Sequence, residues 1–488
     1  MPHNNLRRAA LAFPLKEQDF EMLRIRVVVV LAFLYAAGVA LQPAQAGISP
    51  KAPAGLSNIQ HIVFIVQENR SFDNYFGTYP GADGFPSPLP CLPSNWYPSQ
   101  CFSPYLEHKA NQLGGPYSSS YQEQDIDGGA MDGFIEAREK ELRHSKCNPA
   151  NQARGIRVAN PEVVIDDDEV GPQIAHCTQD VMSYHDGTDL ANYWAYAQNY
   201  VLMDHFFESV HSQSHPSHLE IFSGWAAKCK QLDPPDVDSC FSDANPGQIW
   251  GDRFPEPYLW TDITYLLYQN NVTWKAYLDG GLGPLHDHAT VGALWDVLPG
   301  FETVQEDGQV ANAEINMTEF YSDAANGTLP QVSWLLPHYN DSEHPQANIY
   351  QGQSYVTGLI NAIMNGPDWS STAIFVVWDD IGGFYDHQAP PFRFDVLGLG
   401  IRVPSLLISP YAQAGLIDHQ VCSTDCYLKF IEDVFLNGER MSQSGRPDPR
   451  PDYRDEESDY GDLINDFNFN QAPRNPMVLS THPMTLLH

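Results

Sequence analysis

Runs of apolar residues mark the predicted strands of this chain. The runs are apolar at consecutive positions rather than at alternate ones, which is typical of strands buried on both faces of a parallel sheet. They lie at 61–67, 274–278, 332–336, 373–378 and 403–408, with a further strand predicted at 200–207. Predicted helices at 190–199, 354–364 and 427–435 separate them. Strands that alternate with helices predict an α/β fold with a mainly parallel central sheet.

Oxygen-bearing side chains follow two of these strands directly. Glu68 and Asn69 come after the first strand, and Asp379 and Asp380 come after the strand at 373–378. In an open α/β sheet, ligands bind just beyond the carboxyl ends of the strands. Carboxylate and amide oxygens suit hard divalent cations. Each pair alone also fits an acidic turn or a cap, and it is their shared position at strand ends that favours a cation site.

A serine surrounded by histidines lies in the segment HSQSHPSHLEIFSG, residues 211–224. Ser214 stands between His211, His215 and His218, ahead of a helical run predicted at 219–222. The positive end of a helix and a nearby metal ion can both activate a serine hydroxyl as a nucleophile. The alternative is a turn serine flanked by surface histidines. The chain has no GxSxG motif, so a lipase-type nucleophile elbow is not supported.

Composition and charge narrow the possible partners. The chain has 488 residues, of which 18% are charged and 12% aromatic, and this is not the composition of a disordered protein. A formal net charge of −35 argues against a nucleic-acid partner and against adhesion to anionic lipid through a basic patch. After residue 437 the composition shifts to Pro, Arg, Asp, Ser and Asn. Residues 438–488 are therefore predicted to form a polar tail, either draped over the domain or disordered.

The N-terminus has the pattern of a secretory signal peptide. Arg24 and Arg26 precede an apolar run at 27–41, and the small residues at 44–46 predict cleavage before Gly47. An uncleaved membrane anchor is the alternative, but the run is short for a bilayer span. We therefore expect an exported protein, whether periplasmic, in the cell envelope or secreted, with no stable membrane span after cleavage.

The cysteines agree with export. All eight lie beyond residue 46, and an even number in an exported protein predicts disulfides. Near neighbours suggest the pairs 91–101, 147–177, 229–240 and 422–426, although spacing alone does not establish connectivity. A four-cysteine metal site is the less favoured alternative because no CxxC motif occurs.

Six ordered motifs resemble one known family. They are ENRSFDNYFG, GGAMDGF, SHPSHLEIFSG, NDSEHP, WDDIGGFYDH and RVPSLLISPYA. Together they resemble the bacterial phospholipase C and acid phosphatase family of phosphoesterases, which also includes plant non-specific phospholipases C. The resemblance spans residues 57–437. It implies an alkaline-phosphatase-like three-layer αβα sandwich, a catalytic domain over residues 47–437, and one or more divalent metal ions (calcium, magnesium, manganese or zinc).

The resemblance also implies roles for single residues. Glu68, Asn69, Asp379 and Asp380 match the family's metal ligands. Ser214 matches its Ser or Thr nucleophile, which also contacts the metal.

Histidines of the family's site are matched less completely. His344, in the EHP segment, matches a residue that contacts the phosphoryl group or protonates the leaving group. His108 matches an upstream histidine that contacts phosphate. Family members carry a further site histidine between the nucleophile and the EHP segment; this sequence departs from that pattern and has no clear counterpart, although His286 and His288 lie nearby. The loop at 381–387 is expected to shape the pocket wall, with Asp386 and His387 bracing it.

The resemblance implies a two-step displacement. Ser214, deprotonated through the metal, attacks phosphorus, the alcohol leaves with help from His344, and water hydrolyses the phosphoserine. Two enzyme hypotheses follow: a phospholipase C acting on phospholipid, and an acid phosphatase-type phosphomonoesterase acting on small phosphate esters. A third hypothesis is a non-catalytic exported binding protein on the same fold. The sequence does not indicate the oligomeric state.

Overall fold

Eight strands form one central sheet in the computed structural model, which describes residues 55–145, 147–150, 174–229, 240–242, 257–279, 295–391, 397–448, 450 and 453–483. In chain order the strands are β1 His61–Gln67, β2 Val201–Met203, β3 Trp274–Leu278, β4 Ile315–Asn316, β5 Val332–Leu336, β6 Thr372–Trp378, β7 Ser405–Ile408 and β8 Leu416–Asp418. Their order across the sheet is β4-β3-β5-β1-β6-β7-β2-β8. Every neighbouring pair is parallel except those made by β7, which runs antiparallel to β6 and β2.

Helices connect most of these strands. The helices are α1 Phe72–Phe76, α2 Ser119–Ile126, α3 Phe134–Glu141, α4 Ile174–Gln179, α5 Ala191–Asn199, α6 Ser214–Ser223, α7 Ile263–Gln269, α8 Glu302–Glu306, α9 Val310–Ala313, α10 Met317–Asn326, α11 Ile349–Asn365 and α12 Thr424–Phe435. Three short two-stranded pairings lie outside the sheet, between Leu92–Pro93 and Cys101–Phe102, Tyr105–Leu106 and Ser183–Tyr184, and Ala227–Cys229 and Cys240–Ser242.

Helices α6 and α12 cover one face of the sheet. Successive strand residues point to opposite faces, so Phe64 and Phe375 on neighbouring strands share a face. Their ring centroids lie 5.1 and 4.8 Å from that of Tyr427 in α12. Phe222 of α6 packs on Trp334 of β5, with centroids 5.2 Å apart.

Helices α5 and α11 cover the other face. Trp378, at the end of β6, packs edge-on against Tyr193 of α5. Asn192 of α5 then donates a hydrogen bond to Thr357 of α11. The sheet therefore lies between two helical layers, and the predicted α/β sandwich with a mainly parallel sheet is confirmed.

The sequence predicted the bounds of long strands accurately and those of short strands poorly. The runs at 61–67, 274–278 and 332–336 are strands with the predicted bounds. The strand predicted at 200–207 is shorter, Val201–Met203, because the chain beyond it makes only isolated bridges, from Phe206 and Phe207. The two-residue β4 and three-residue β8 are too short to show a periodic pattern.

The C-terminal residues that the structure describes lie against the domain. Arg474 donates to the carbonyl of Asn199, at the end of α5. Arg450 is buried and donates to the carbonyls of Ser223 and Thr261. Two arginines of this segment thus donate hydrogen bonds to backbone carbonyls of the preceding residues.

Disulfides form between Cys91 and Cys101, between Cys147 and Cys177, and between Cys422 and Cys426, as predicted. Residues 229 and 240 face each other in register across a two-stranded pairing, but their side chains lie outside the described residues. The predicted signal peptide also lies outside them. Within the described part of the chain, no helix has both the length and the apolarity needed to cross a bilayer.

Candidate functional site

The ends of β1 and β6 bring the predicted oxygen ligands together. The two strands are in register to their last residues, Gln67 opposite Trp378, so Glu68 and Asp379 emerge at the same edge of the sheet. Asp379 Oδ1 accepts hydrogen bonds from the backbone N–H of Asn69 at 3.0 Å and of Asp380 at 2.7 Å. The side-chain amide of Asn69 donates to Asp380 Oδ1. We call Glu68, Asn69, Asp379 and Asp380 the acidic site.

A glycine turn makes this packing possible. Gly382 and Gly383 follow the acidic site with φ of 57° and 71°, the left-handed region that glycine tolerates. A Cβ on Gly382 would lie 2.6 Å from the carbonyl oxygen of Asn69, and one on Gly383 would lie 2.3 Å from the backbone of Gly115. The turn therefore requires glycine both for its dihedral angles and for the close approach of two other segments.

Ser214 lies at the start of α6 and points at the acidic site. Its hydroxyl donates a hydrogen bond to Asp380 Oδ2 at 2.9 Å. As the first residue of a ten-residue helix, it sits where the unpaired N–H groups and the positive end of the helix dipole favour anions. The serine that the sequence singled out and the acidic site are thus in direct contact.

His218 joins the acidic site from the same helix. It lies one turn after Ser214, and its Nε2 is 3.1 Å from Glu68 Oε1 and 3.7 Å from Asp379 Oδ2. All three side chains are fully or almost fully buried. Burial lowers the pKa of His218 to about 4, so the imidazole is neutral near pH 7 and offers a lone pair rather than a charge.

The carboxylates of the acidic site repel one another. Burial, and then the charge of Asp379, raises the pKa values of Glu68 and Asp380 well above their usual range. Among the described residues, no lysine or arginine lies within ion-pairing distance of Glu68, Asp379 or Asp380. Their charge is therefore not neutralised by a basic side chain from the part of the chain that is described.

The donor set of the acidic site fits a divalent cation. Glu68 Oε2, Asn69 Oδ1 and Asp379 Oδ2 are buried and have no hydrogen-bond partner among the described residues. Ligand atoms of Glu68, His218 and Asp379 all lie within 4.8 Å of one another. Buried carboxylate oxygens need a positive partner or a donor, and a bound cation would supply it. Oxygen ligands with one imidazole suit manganese or zinc as well as the harder ions.

His344 contacts Tyr117, a tyrosine near the acidic site. Its Nε2 lies 3.3 Å from the hydroxyl of Tyr117, and its Nδ1 lies 3.1 Å from the carbonyl oxygen of Pro345. Burial lowers the pKa of His344 to about 4. Burial, and then the charges of Asp380, Asp379 and Glu68, raise the pKa of Tyr117 well above its usual value. The phenol is therefore within electrostatic range of the acidic site.

His108 lies in a different environment. Its Nδ1 is 3.0 Å from Asp189 Oδ2, and about half of its side chain is exposed, at 53%. Among the described residues it has no contact with the acidic site or with Ser214, and its assigned role stays a prediction. His286 and His288 lie outside the described residues.

Three residues near the site were not assigned by sequence reasoning. His218 could have been found, because it is four residues after Ser214 and a helix that begins at 214 instead of 219 puts both on one face. Glu208 is buried behind the site, where it accepts the backbone N–H of Ile381 at 2.6 Å. Neither Glu208 nor Tyr117 had a local signal, since each is placed by contacts distant in sequence.

A second buried acidic group follows the same two strands. Asp73, Asp386, His387 and Arg402 form what we call the brace cluster. Arg402 lies 2.9 Å from Asp386 Oδ1 and 3.2 Å from Asp73 Oδ1, and Asp386 also accepts the backbone N–H of Asp73. His387 Nδ1 lies 2.7 Å from Asp73 Oδ2. These contacts join the loop after β6 to α1.

Comparison with known proteins matches this chain to one family and to phospholipases C from bacteria and a plant. Residues 59–436 match the Phosphoesterase family. Phospholipase C B of Mycobacterium tuberculosis is 28% identical over 493 aligned residues, which cover 91% of this chain and 84% of that protein. Non-hemolytic phospholipase C of Burkholderia pseudomallei is 27% identical, covering 85% of this chain and 59% of that protein. Non-specific phospholipase C6 of Arabidopsis thaliana is 32% identical over 20% of this chain and 23% of that protein.

Proposed function

The chain belongs to the phosphoesterase family, and from that premise we propose that it is an exported, metal-dependent enzyme of phospholipase C type that uses Ser214 as its nucleophile. Its relatives are named phospholipases C, and the chain is a hydrolase of phosphate ester bonds. One observation carries the finer proposal: the Ser214 hydroxyl donates to a buried carboxylate, Asp380, inside a set of oxygens that has no lysine or arginine partner among the described residues.

The proposed substrate is a phospholipid cleaved between the glycerol oxygen and phosphorus. The names of the relatives support this choice over a phosphate monoester. The net charge of −35 disfavours docking on anionic membranes, so a zwitterionic headgroup such as phosphorylcholine fits best.

In the proposed first step, Ser214 Oγ attacks phosphorus while Asp380 Oδ2 accepts the hydroxyl hydrogen. A bond forms between Oγ and phosphorus, and the bond from phosphorus to the glycerol oxygen breaks. The first N–H groups of α6 face the phosphoryl oxygens, where a helix N-terminus stabilises negative charge. In its protonated form, His344 gives the Nε2 hydrogen to the leaving alkoxide and becomes neutral. Water then attacks phosphorus and gives a proton to His344 Nε2, while the bond from phosphorus to Ser214 Oγ breaks and Asp380 returns its hydrogen to Oγ.

A divalent cation would be held by Glu68, Asn69, Asp379, Asp380 and Ser214, with His218 as a further ligand. When bound, it supplies positive charge that stabilises the developing phosphoryl charge and favours the alkoxide form of serine. Export is supported by the disulfides, which persist in oxidising compartments.

The test is a paired assay on the mature protein. p-Nitrophenylphosphorylcholine and p-nitrophenyl phosphate are compared with and without a chelator. The diester should be hydrolysed and the chelator should abolish turnover. Ser214→Ala should lower kcat by at least about 10⁴-fold. An acid-quenched reaction should show the substrate's phosphoryl group on the peptide that contains Ser214.

Ser217→Ala is the matched control. Ser217 lies on the same helix, and its buried hydroxyl has no hydrogen-bond partner among the described residues, so this variant should keep wild-type activity. Full activity of Ser214→Ala would remove Ser214 from the mechanism. Hydrolysis of the monoester alone would identify a phosphomonoesterase, and binding without turnover would favour the non-catalytic hypothesis.

A further inference from the structure

Tyr117 lies in a segment that contacts the turn after Asp380, the turn before Ser214 and His344, although no motif in the sequence marks it. Two residues earlier, the N–H of Gly115 donates to the carbonyl of Gly382 at 2.9 Å. Gly115 also packs so closely on Gly383 that neither position has room for a side chain. This backbone contact fixes the start of the Tyr117 segment on the turn that follows Asp380.

A second contact ties Tyr117 to the turn before Ser214. The side-chain amide of Gln122 donates to the carbonyl of Tyr117 at 3.1 Å and to the carbonyl of Ser212 at 3.0 Å. Gln122 is fully buried. The backbone at Tyr117 is therefore held against both the acidic site and the segment that carries the proposed nucleophile.

The hydroxyl of Tyr117 forms a hydrogen bond with the imidazole of His344. The carbonyl of Pro345 can only accept, so His344 Nδ1 must carry its hydrogen and donate. In the neutral imidazole, Nε2 is then an acceptor, and the phenol of Tyr117 donates to it across 3.3 Å. The two rings are nearly perpendicular, with centroids 6.4 Å apart, so the phenol approaches the imidazole edge.

We propose that Tyr117 is a positioning residue that holds His344 Nε2 towards the phosphoryl site in both protonation states of the imidazole. A phenol can donate to a bare nitrogen and can also accept from an N–H, whereas phenylalanine can do neither. This role rests on the proposed function. When the protonated Nε2 gives its hydrogen to the leaving alkoxide, the bond from phosphorus to that oxygen has broken and Nε2 regains its lone pair. The Tyr117 hydroxyl then donates to Nε2 again.

The environment of both groups supports this role. Burial disfavours the imidazolium form of His344, so a nearby acceptor for its Nε2–H matters more than it would in water. Burial and the neighbouring carboxylates keep Tyr117 protonated, so the phenol has a hydrogen to donate near neutral pH.

Leaving-group dependence tests the proposal. Tyr117→Phe is compared with wild type on two phosphorylcholine esters, p-nitrophenylphosphorylcholine and dihexanoylphosphatidylcholine. Nitrophenolate leaves without a proton and the glycerol alkoxide does not, so only the second reaction needs His344 as an acid. We expect kcat to fall by about tenfold or more on the dihexanoyl ester and by less than about twofold on the nitrophenyl ester.

Two further variants keep the result interpretable. Tyr121→Phe, on α2 with its ring beneath Lys140, is the matched control and should act like wild type on both esters. His344→Asn should show the same selective loss, and adding Tyr117→Phe to it should cost nothing further, because Tyr117 acts through His344. Thermal unfolding of each variant checks folding.

An equal loss on both esters, no loss on either, or a further loss in the double variant would overturn the role of Tyr117. These outcomes leave the Ser214 chemistry standing, because that is tested by Ser214→Ala with the nitrophenyl ester. A wild-type protein inactive on both esters would overturn the proposed function and this role together.

Discussion

The acidic site and the brace cluster follow the same two strands, yet their negative charges are balanced in opposite ways. In the brace cluster, Arg402 is fully buried and lies within 3.2 Å of carboxylate oxygens of both Asp73 and Asp386. Among the described residues, no lysine or arginine lies within ion-pairing distance of the acidic site, and three of its buried oxygens have no hydrogen-bond partner. One cluster has its counter-ion built into the chain, and the other is the candidate site for a bound cation.

The difference distinguishes structural acids from functional ones. Buried charges that serve the fold are paired and hydrogen-bonded, because an unpaired buried charge is costly. A chain that keeps three buried carboxylates together without a basic partner gains nothing in stability from them. The proposed cation would bind only to the folded protein and would offset the cost of this group by mass action.

The largest expected effect is the loss of the counter-ion in the brace cluster. Arg402→Met leaves Asp386 buried without an ion-pair partner and Asp73 paired with His387 alone, and should lower the free energy of unfolding by about 3–5 kcal/mol. Urea unfolding measures it. A change below about 1 kcal/mol would show that the brace cluster does not depend on this arginine. The claim that Asp73 and Asp386 are stabilised by a built-in counter-ion would then be wrong.

Arg450 tests whether other buried arginines behave in the same way. Its guanidinium donates to the carbonyls of Ser223 and Thr261, which Arg450→Met would leave unsatisfied. We expect a loss of about 2–3 kcal/mol in unfolding free energy. Arg446→Met is the matched control: its partners Glu302 and Glu306 are 36% and 58% exposed, so the loss should stay below about 1 kcal/mol. Equal losses would contradict the distinction.

Removing a carboxylate from the acidic site should have the opposite sign. Glu68→Gln keeps the shape and an oxygen for His218 but removes one of the repelling charges. In chelator-treated protein the variant should be about 1–2 kcal/mol more stable than wild type at pH 7. Once a divalent cation is added, the order should reverse, because the variant binds it more weakly. A variant that is less stable in the metal-free state would refute the idea of uncompensated repulsion.

The smallest effect concerns the pH dependence of the brace cluster. Burial opposes protonation of His387, but its hydrogen bond to Asp73 and the nearby carboxylates outweigh this and raise its pKa. A raised histidine pKa stabilises the fold fully below the unfolded value of about 6.5, and this contribution is lost as the pH rises through the folded value. Wild type should therefore lose stability relative to His387→Asn as the pH rises above about 6.5. Parallel curves for the two proteins would contradict this.

Much of the fold followed from the sequence, because long buried strands have a strong local signal. The apolar runs of β1, β3 and β5 gave their bounds, and polar residues at the strand ends located the acidic site at the right edge. The short strands β4 and β8 had no comparable signal.

What the sequence could not show depends on contacts between distant segments. The contact that balances Asp73 comes from Arg402, which is 329 positions away. Tyr117 lies in a loop rich in Ser and Gly, and the Gly115–Gly382 contact that holds this loop on the turn after Asp380 has no signal in the sequence. His218 was visible in a motif, but its partnership with Glu68 required the true start of α6.

Cation binding tests the central claim most directly. Protein stripped with a chelator is titrated with Mn²⁺, Mg²⁺, Ca²⁺ and Zn²⁺ by calorimetry, and thermal unfolding is followed at each concentration. At least one of these cations should bind wild type and raise its unfolding temperature, and Asp379→Asn should weaken that binding by at least about tenfold. Asp386→Asn, in the brace cluster, should leave the affinity unchanged. If no cation binds, or if Asp379→Asn binds as tightly as wild type, the acidic site is not a metal site.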